Sequence, residues 1–125
     1  HQRLLRDADK LDIWWVVSDY YRERAAGKIN PGLELNQPDT PGISPAVFER
    51  IMNGETVLFA DLQNLNDFKL LQIGWVFDVN FAPTLRRLKE RGYLDMIRSH
   101  LPDDENVNEL FDCVNNYIEQ RLNNA

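Results

Sequence analysis

The chain has 125 residues, with 14 Lys and Arg against 20 Asp and Glu, for a formal net charge of −6. This is one domain's worth of chain with room for a real core, and its acidic balance argues against a nucleic-acid backbone or an anionic membrane as main partner, since both reward clustered cations. A single cysteine, Cys113, excludes an internal disulfide and is compatible with a reducing cytoplasm, and no apolar run approaches the roughly 20 residues that span a bilayer.

From Leu4 to Tyr21 apolar residues recur at helical spacing: Leu4, Ala8, Leu11 and Trp15 form one stripe, with Leu5 and Val16 beside it. The pattern predicts a first helix from about Gln2 to Ala26, stopped at Gly27, which suits the left-handed cap position. At about 100° per residue, Asp12 falls inside the apolar arc and Asp9 at its edge, over Leu5 and beside Ile13 and Val16. Arg3, Asp7 and Lys10 fall toward the opposite face, where water solvates them. A carboxylate on a core-facing stripe costs stability unless it is hydrogen-bonded, paired with a cation or bound to a metal. Something must satisfy Asp9 and Asp12.

Lys28 to Gly42 holds Pro31, Gly32, Pro38, Pro41 and Gly42 and reads as a long surface loop, of the kind that is often functional or mobile. Ser44-Pro45 opens a short helix through Ile51, ended by Gly54, and Thr56 to Ala60 is a brief apolar run without a clear assignment. Asn64 with Asp67 three residues on resembles a capping box ahead of a helix over about Leu65 to Asn80. That helix is apolar nearly all round and is expected at the centre. Pro83 marks a kink or break, Leu85 to Arg91 continues as helix to Gly92, and Tyr93 to His100 forms a short helix stopped by Pro102. Asp103 or Asp104 caps the last helix, where Val107, Leu110, Phe111, Val114 and Ile118 make an i, i+3, i+4 stripe. With no repeat and no clear strand set, the fold class is all-α.

The pentapeptide Ala8-Asp9-Lys10-Leu11-Asp12 resembles the last metal-ligand motif of the HD-domain metal-dependent phosphohydrolases. Asn66 to Lys69 with Gly74 to Asp78 is similar, in general texture, to the C-terminal helices of some bacterial members. That family is helical and gathers a His, a His-Asp dyad and a distant Asp around divalent metal. The resemblance implies a metal-ligand role for Asp9, and hydrolysis of a phosphate ester such as a nucleotide or another small phosphorylated metabolite. The only histidines, His1 and His100, are not followed by Asp, so the dyad is absent. The chain also lacks an initiator Met and opens directly on helical pattern. The expectation is a helical bundle-like, C-terminal part of an HD-type domain: residues 1–27 as the last metal-ligand helix, 28–43 as loop and 44–125 as the C-terminal helical region. The metal ion is expected in the intact protein and not in this piece, which is expected to be inactive alone. It is also expected to self-associate through Leu4, Leu5, Leu11 and Trp15, the face left by the missing helices.

Each candidate has a plainer reading. Asp9 can pair with Arg6 or stand exposed at the margin of the stripe. Asp12 fits a structural carboxylate serving local donors better than a ligand. Lys10, next to the proposed ligand, can reach a substrate phosphate, although a solvated helix lysine is commoner. Asp78, inside an apolar run, reads as a buried structural carboxylate paired with a cation from the first helix or its loop. His100 fits a helix-end cation, the tryptophans fit core anchors, and Cys113 has no activating neighbour. The alternative to the enzyme is a non-catalytic all-α regulatory or protein-interaction module in which Asp9 is only structural.

Overall fold

The computed structural model describes residues 2–124; His1 lies outside them. Helix α1 (Gln2–Ala25) ends because Gly27 takes φ +100°, a conformation open to glycine. The Gly27 amide then bonds the Arg24 carbonyl and the Lys28 amide bonds the Glu23 carbonyl, the paired bonds of a Schellman cap. After the loop come α2 (Pro45–Met52), a 3₁₀ turn at Phe59–Asp61, α3 (Leu65–Gly74), a second 3₁₀ turn at Trp75–Asp78, α4 (Ala82–Arg91), α5 (Tyr93–Arg98) and α6 (Glu105–Asn123). The described residues contain no strand, and the fold is all-α. No helix among them is long and apolar enough to cross a membrane.

Every residue of α3 is buried, and the helix forms the axis around which the others gather. The tight α-helix predicted over Leu65 to Asn80 stops early, at the weak helix former Gly74, and tightens into the 3₁₀ turn. The backbone beyond that turn is claimed from outside: Arg121 of α6 donates to the carbonyls of Val79 (3.1 Å) and Asn80 (3.2 Å). At the other end, Asn64 caps α3 by accepting the Asp67 amide at 2.8 Å. Asp67 does not reach back to complete a box. Its buried carboxylate instead accepts the amides of Ser44 (2.8 Å) and Gln63 (2.9 Å) and the Ser44 hydroxyl, tying the start of α2 to the start of α3. In α6 the stripe Val107, Leu110, Phe111, Val114, Ile118 is buried and Asp104 is the cap, its side chain accepting the Val107 amide at 2.8 Å.

Helix α1 is rotated from the setting its apolar residues suggest. Its buried line is Asp7, Leu11, Trp14, Ser18 and Tyr21, spaced alternately by four and three residues. Of the expected stripe only Leu11 is buried; Leu4, Leu5, Trp15 and Val16 are each more than half exposed. The reason is polar. Asp7, 1% exposed, accepts the Asn80 amide (2.9 Å) and side chain (3.1 Å) through Oδ1, and the Phe81 amide (2.9 Å) and Thr84 hydroxyl (2.8 Å) through Oδ2. Phe81 occupies the N-cap position of α4 but brings no capping side chain, so Asp7 satisfies that helix start from across the core. Further along α1, the Trp14 indole donates to the Gln72 carbonyl at 2.8 Å, and the Tyr21 hydroxyl to the Gln72 side-chain oxygen at 2.7 Å. These contacts lock the rotation of α1 about its axis.

Burial alone would raise the pKa of Asp7, but the donors of Asn80, Thr84 and Phe81 outweigh it and hold the carboxyl below its ordinary 3.8. A folded-state pKa below the unfolded value contributes stability above the unfolded value and loses it as pH falls through the folded one. Asp7→Ala strands the donors at the start of α4 and is expected to cost about 3 kcal/mol at neutral pH. In urea unfolding followed against pH, the gap between wild type and Asp7→Ala should stay constant above about pH 5 and shrink as pH drops below 3.8. A variant as stable as wild type at pH 7 would contradict the role assigned to Asp7.

Candidate functional site

With α1 locked by Asp7, Trp14 and Tyr21, the residues between them take fixed directions. Asp9 lies about 160° around the helix from Asp7, on the side away from the core. It is exposed, as is Asp12, which corrects the expectation that these carboxylates face the core and Asp7 the water. Among the described residues neither forms a hydrogen bond or ion pair, so the Arg6 partner considered for Asp9 is not engaged. Their neighbours on that face are apolar: Leu5, Ile13 and Val16 beside Asp9, with Leu4 and Trp15 on the flank of Asp12. The surface continues into a groove of about 430 Å³ lined by Leu4, Phe81, Pro83, Thr84 and Arg87. Two unpaired carboxylates thus stand in an apolar, solvent-facing surface that the described chain does not cover.

Lys10 is turned aside from that face. Its side chain is largely buried, and its ammonium pairs with Asp78 at 3.3 Å. Asp78 is a correction: it is exposed rather than buried, and its partner is the cation from the first helix. Lys10 therefore links α1 to the 3₁₀ turn. His100 packs its ring 6.1 Å from that of Tyr21, and burial, then the Lys69 charge, lowers its pKa. Cys113 is half-buried, with its thiol toward the carbonyls of Ile51 and Met52 at the end of α2.

As for a metal, Asp9 offers a charged oxygen of the right kind, but among the described residues no three His, Cys, Asp or Glu side chains are grouped to hold an ion. The residues present do not by themselves fit a metal centre.

The burial of four charged side chains escaped the sequence reading: Asp7, Glu34, Asp67 and Lys69. Glu34 accepts the Arg24 guanidinium (Nε, 2.6 Å) and the Tyr20 hydroxyl, so the 28–42 loop is strapped to the end of α1. For Asp7 a signal existed in the four-three spacing to Leu11, Trp14, Ser18 and Tyr21; Glu34 meets partners at the end of the preceding helix and Lys69 meets the carbonyl of His100, pairings that no helical or strand period announces. Compared with known proteins, the chain matches no family model, no curated protein and no solved structure.

The Lys10–Asp78 pair joins a buried stem to an open carboxylate in water, where such pairs contribute little. Asp78→Asn should therefore change unfolding free energy by less than about 1 kcal/mol. A loss comparable to that of Asp7→Ala would show the pair to be a structural pillar instead.

Proposed function

We propose that Asp9 is the distal oxygen ligand of a divalent metal centre in an HD-type phosphohydrolase, whose other ligands come from residues outside this sequence. The observation that supports this reading most is the free pair Asp9 and Asp12 on an uncovered apolar face, directed away from the core by the anchoring of Asp7. A carboxylate without internal partners is available to a cation, and apolar neighbours suit a surface that other helices cover. The motif resemblance points to the same residue. If residues outside this sequence complete the site, Asp9 would hold one side of a divalent ion, which would supply Lewis acidity toward a phosphate ester. Asp9 alone supplies one oxygen where such ions take about six, so the chain by itself is expected to lack turnover. Lys10, engaged with Asp78, has no part in the proposal.

The second reading, a protein-interaction module, draws on the same face: Leu4, Leu5, Trp15 and Val16 can meet a partner, including another copy, without any metal. Leu11 drops out of that surface because it lies in the core.

The two readings separate in the full gene product. Asp9→Asn preserves size but removes the charge the cation needs. Metal content by elemental analysis and hydrolysis of a generic phosphate monoester should fall together in this variant, while thermal stability measured without metal should hold or rise. Asp12→Asn should lower metal content less. Normal metal content and turnover in Asp9→Asn would remove the ligand assignment. A gene product with neither metal nor turnover, whose sedimenting mass halves on Trp15→Gln, would favour the interaction module.

A further inference from the structure

At the other end of α1, about 22 Å along the helix from Asp9, lies a second polar cavity. It has a volume of about 250 Å³ and is lined by Tyr21 and Arg24 of α1, Asp39 of the loop, Asn66 and Lys69 of α3, and His100 after α5. Lys69 is the unusual member. It is 5% exposed, yet among the described residues its ammonium forms no ion pair and makes one hydrogen bond, to the His100 carbonyl at 2.8 Å. An ammonium carries three donors, so two remain without a partner at a site where unpaired charge is costly. The Tyr21 ring, 5.3 Å from the ammonium, offers only a partial substitute.

We propose that this cavity binds a small oxyanion, a carboxylate or phosphate group, with Lys69 as its charged anchor. The other polar groups suit such a guest. The Asn66 amide nitrogen spends one of its two hydrogens on the Gly42 carbonyl and keeps the other, and the imidazole of His100 forms no hydrogen bond among the described residues, which leaves its N–H free to donate. Arg24 is held in place on one side by buried Glu34. On the other side its Nη2 meets Asp39, an exposed carboxylate at 3.2 Å. Glu34 is a fixed structural counterion, whereas Asp39 reaches Arg24 from solvent and occupies the place an incoming oxyanion would take. The guest exchanges with Asp39 at Arg24 and fills the open donors of Lys69. This site shares no residue with the Asp9 face and stands whether or not that face holds a metal.

The test titrates the 125-residue chain with inorganic phosphate and, separately, with acetate at constant ionic strength, reading backbone amide shifts by NMR. Saturable shifts confined to the surroundings of Arg24, Asn66, Lys69 and His100 are expected with at least one of the two, and the tighter one identifies the source chemistry. Lys69→Met keeps the volume and removes a buried charge, so the fold should persist. It should weaken binding at least about ten-fold, the loss of a charge-assisted contact. Asp39→Asn, at the exposed position, should strengthen binding about three-fold by removing the competitor. Absence of saturation with both anions overturns the proposal, as does wild-type affinity in a folded Lys69→Met. If Lys69→Met does not fold, Asp39→Asn decides, and unchanged affinity there overturns it equally.

Discussion

One carboxylate sets the geometry on which the rest depends. Asp7 gathers the Asn80 and Phe81 amides, the Asn80 side chain and the Thr84 hydroxyl at a point where the chain leaves a 3₁₀ turn and enters α4. Those amides belong to a helix start whose own N-cap residue is Phe81, and helix starts leave donors that must be met. From the opposite side Arg121 takes the Val79 and Asn80 carbonyls. The segment between α3 and α4 is therefore closed by charge on both flanks, anion to the amides and cation to the carbonyls. Replacing Asp7 by an apolar group strands the amides, and replacing Arg121 strands the carbonyls.

The same device recurs across the molecule. Asp67 joins the starts of α2 and α3 through Ser44 and Gln63, and Glu34 straps the loop to Arg24 and Tyr20. In each case a buried acid gathers donors from more than one residue and joins two segments, giving directional contacts where apolar packing would tolerate sliding. A core made of short helices has many ends in its interior, and ends expose backbone groups that only polar side chains can satisfy. Lys69 departs from this pattern. Among the described residues its ammonium makes a single hydrogen bond, which leaves two of its donors open.

What the sequence revealed follows from this division. The stripe of α6, the Gly27 stop, the cap at Asn64 and the buried α3 were legible, because each is carried by apolar periodicity or by a local capping residue. The rotation of α1 was not. Two lines with four-three spacing run along that helix, and they share Leu11. One joins Leu4, Ala8, Leu11 and Trp15 and is apolar throughout; the other joins Asp7, Leu11, Trp14, Ser18 and Tyr21 and carries polar groups. Hydrophobic pattern selects the first. The second is the buried one, because three hydrogen-bonding anchors at Asp7, Trp14 and Tyr21 find partners on α3 and at the start of α4 that only the tertiary structure reveals.

This rotation also changes how the acidic segment is to be understood. In Asp7-Ala8-Asp9-Lys10-Leu11-Asp12 the charges do not share one environment. Asp7 turns inward to the start of α4, Leu11 enters the core, Lys10 lies along the side toward Asp78, and Asp9 and Asp12 face out. A core-facing pair would demand a hydrogen-bond donor, a cation or a metal; exposing it removes that demand, and with it any structural reason for the pair's placement. Water satisfies both carboxylates at no cost to the fold. What needs an account is the apolar surround, since Leu4, Leu5, Ile13, Trp15 and Val16 on the same face are of no use to a helix that meets only solvent. Under the proposed function, a covering partner would account for the apolar side chains, and a cation held between that partner and α1 would account for the acids among them. The inward Asp7 then has a consequence for the outward Asp9: by fixing the helix rotation it fixes the direction in which that carboxylate is offered.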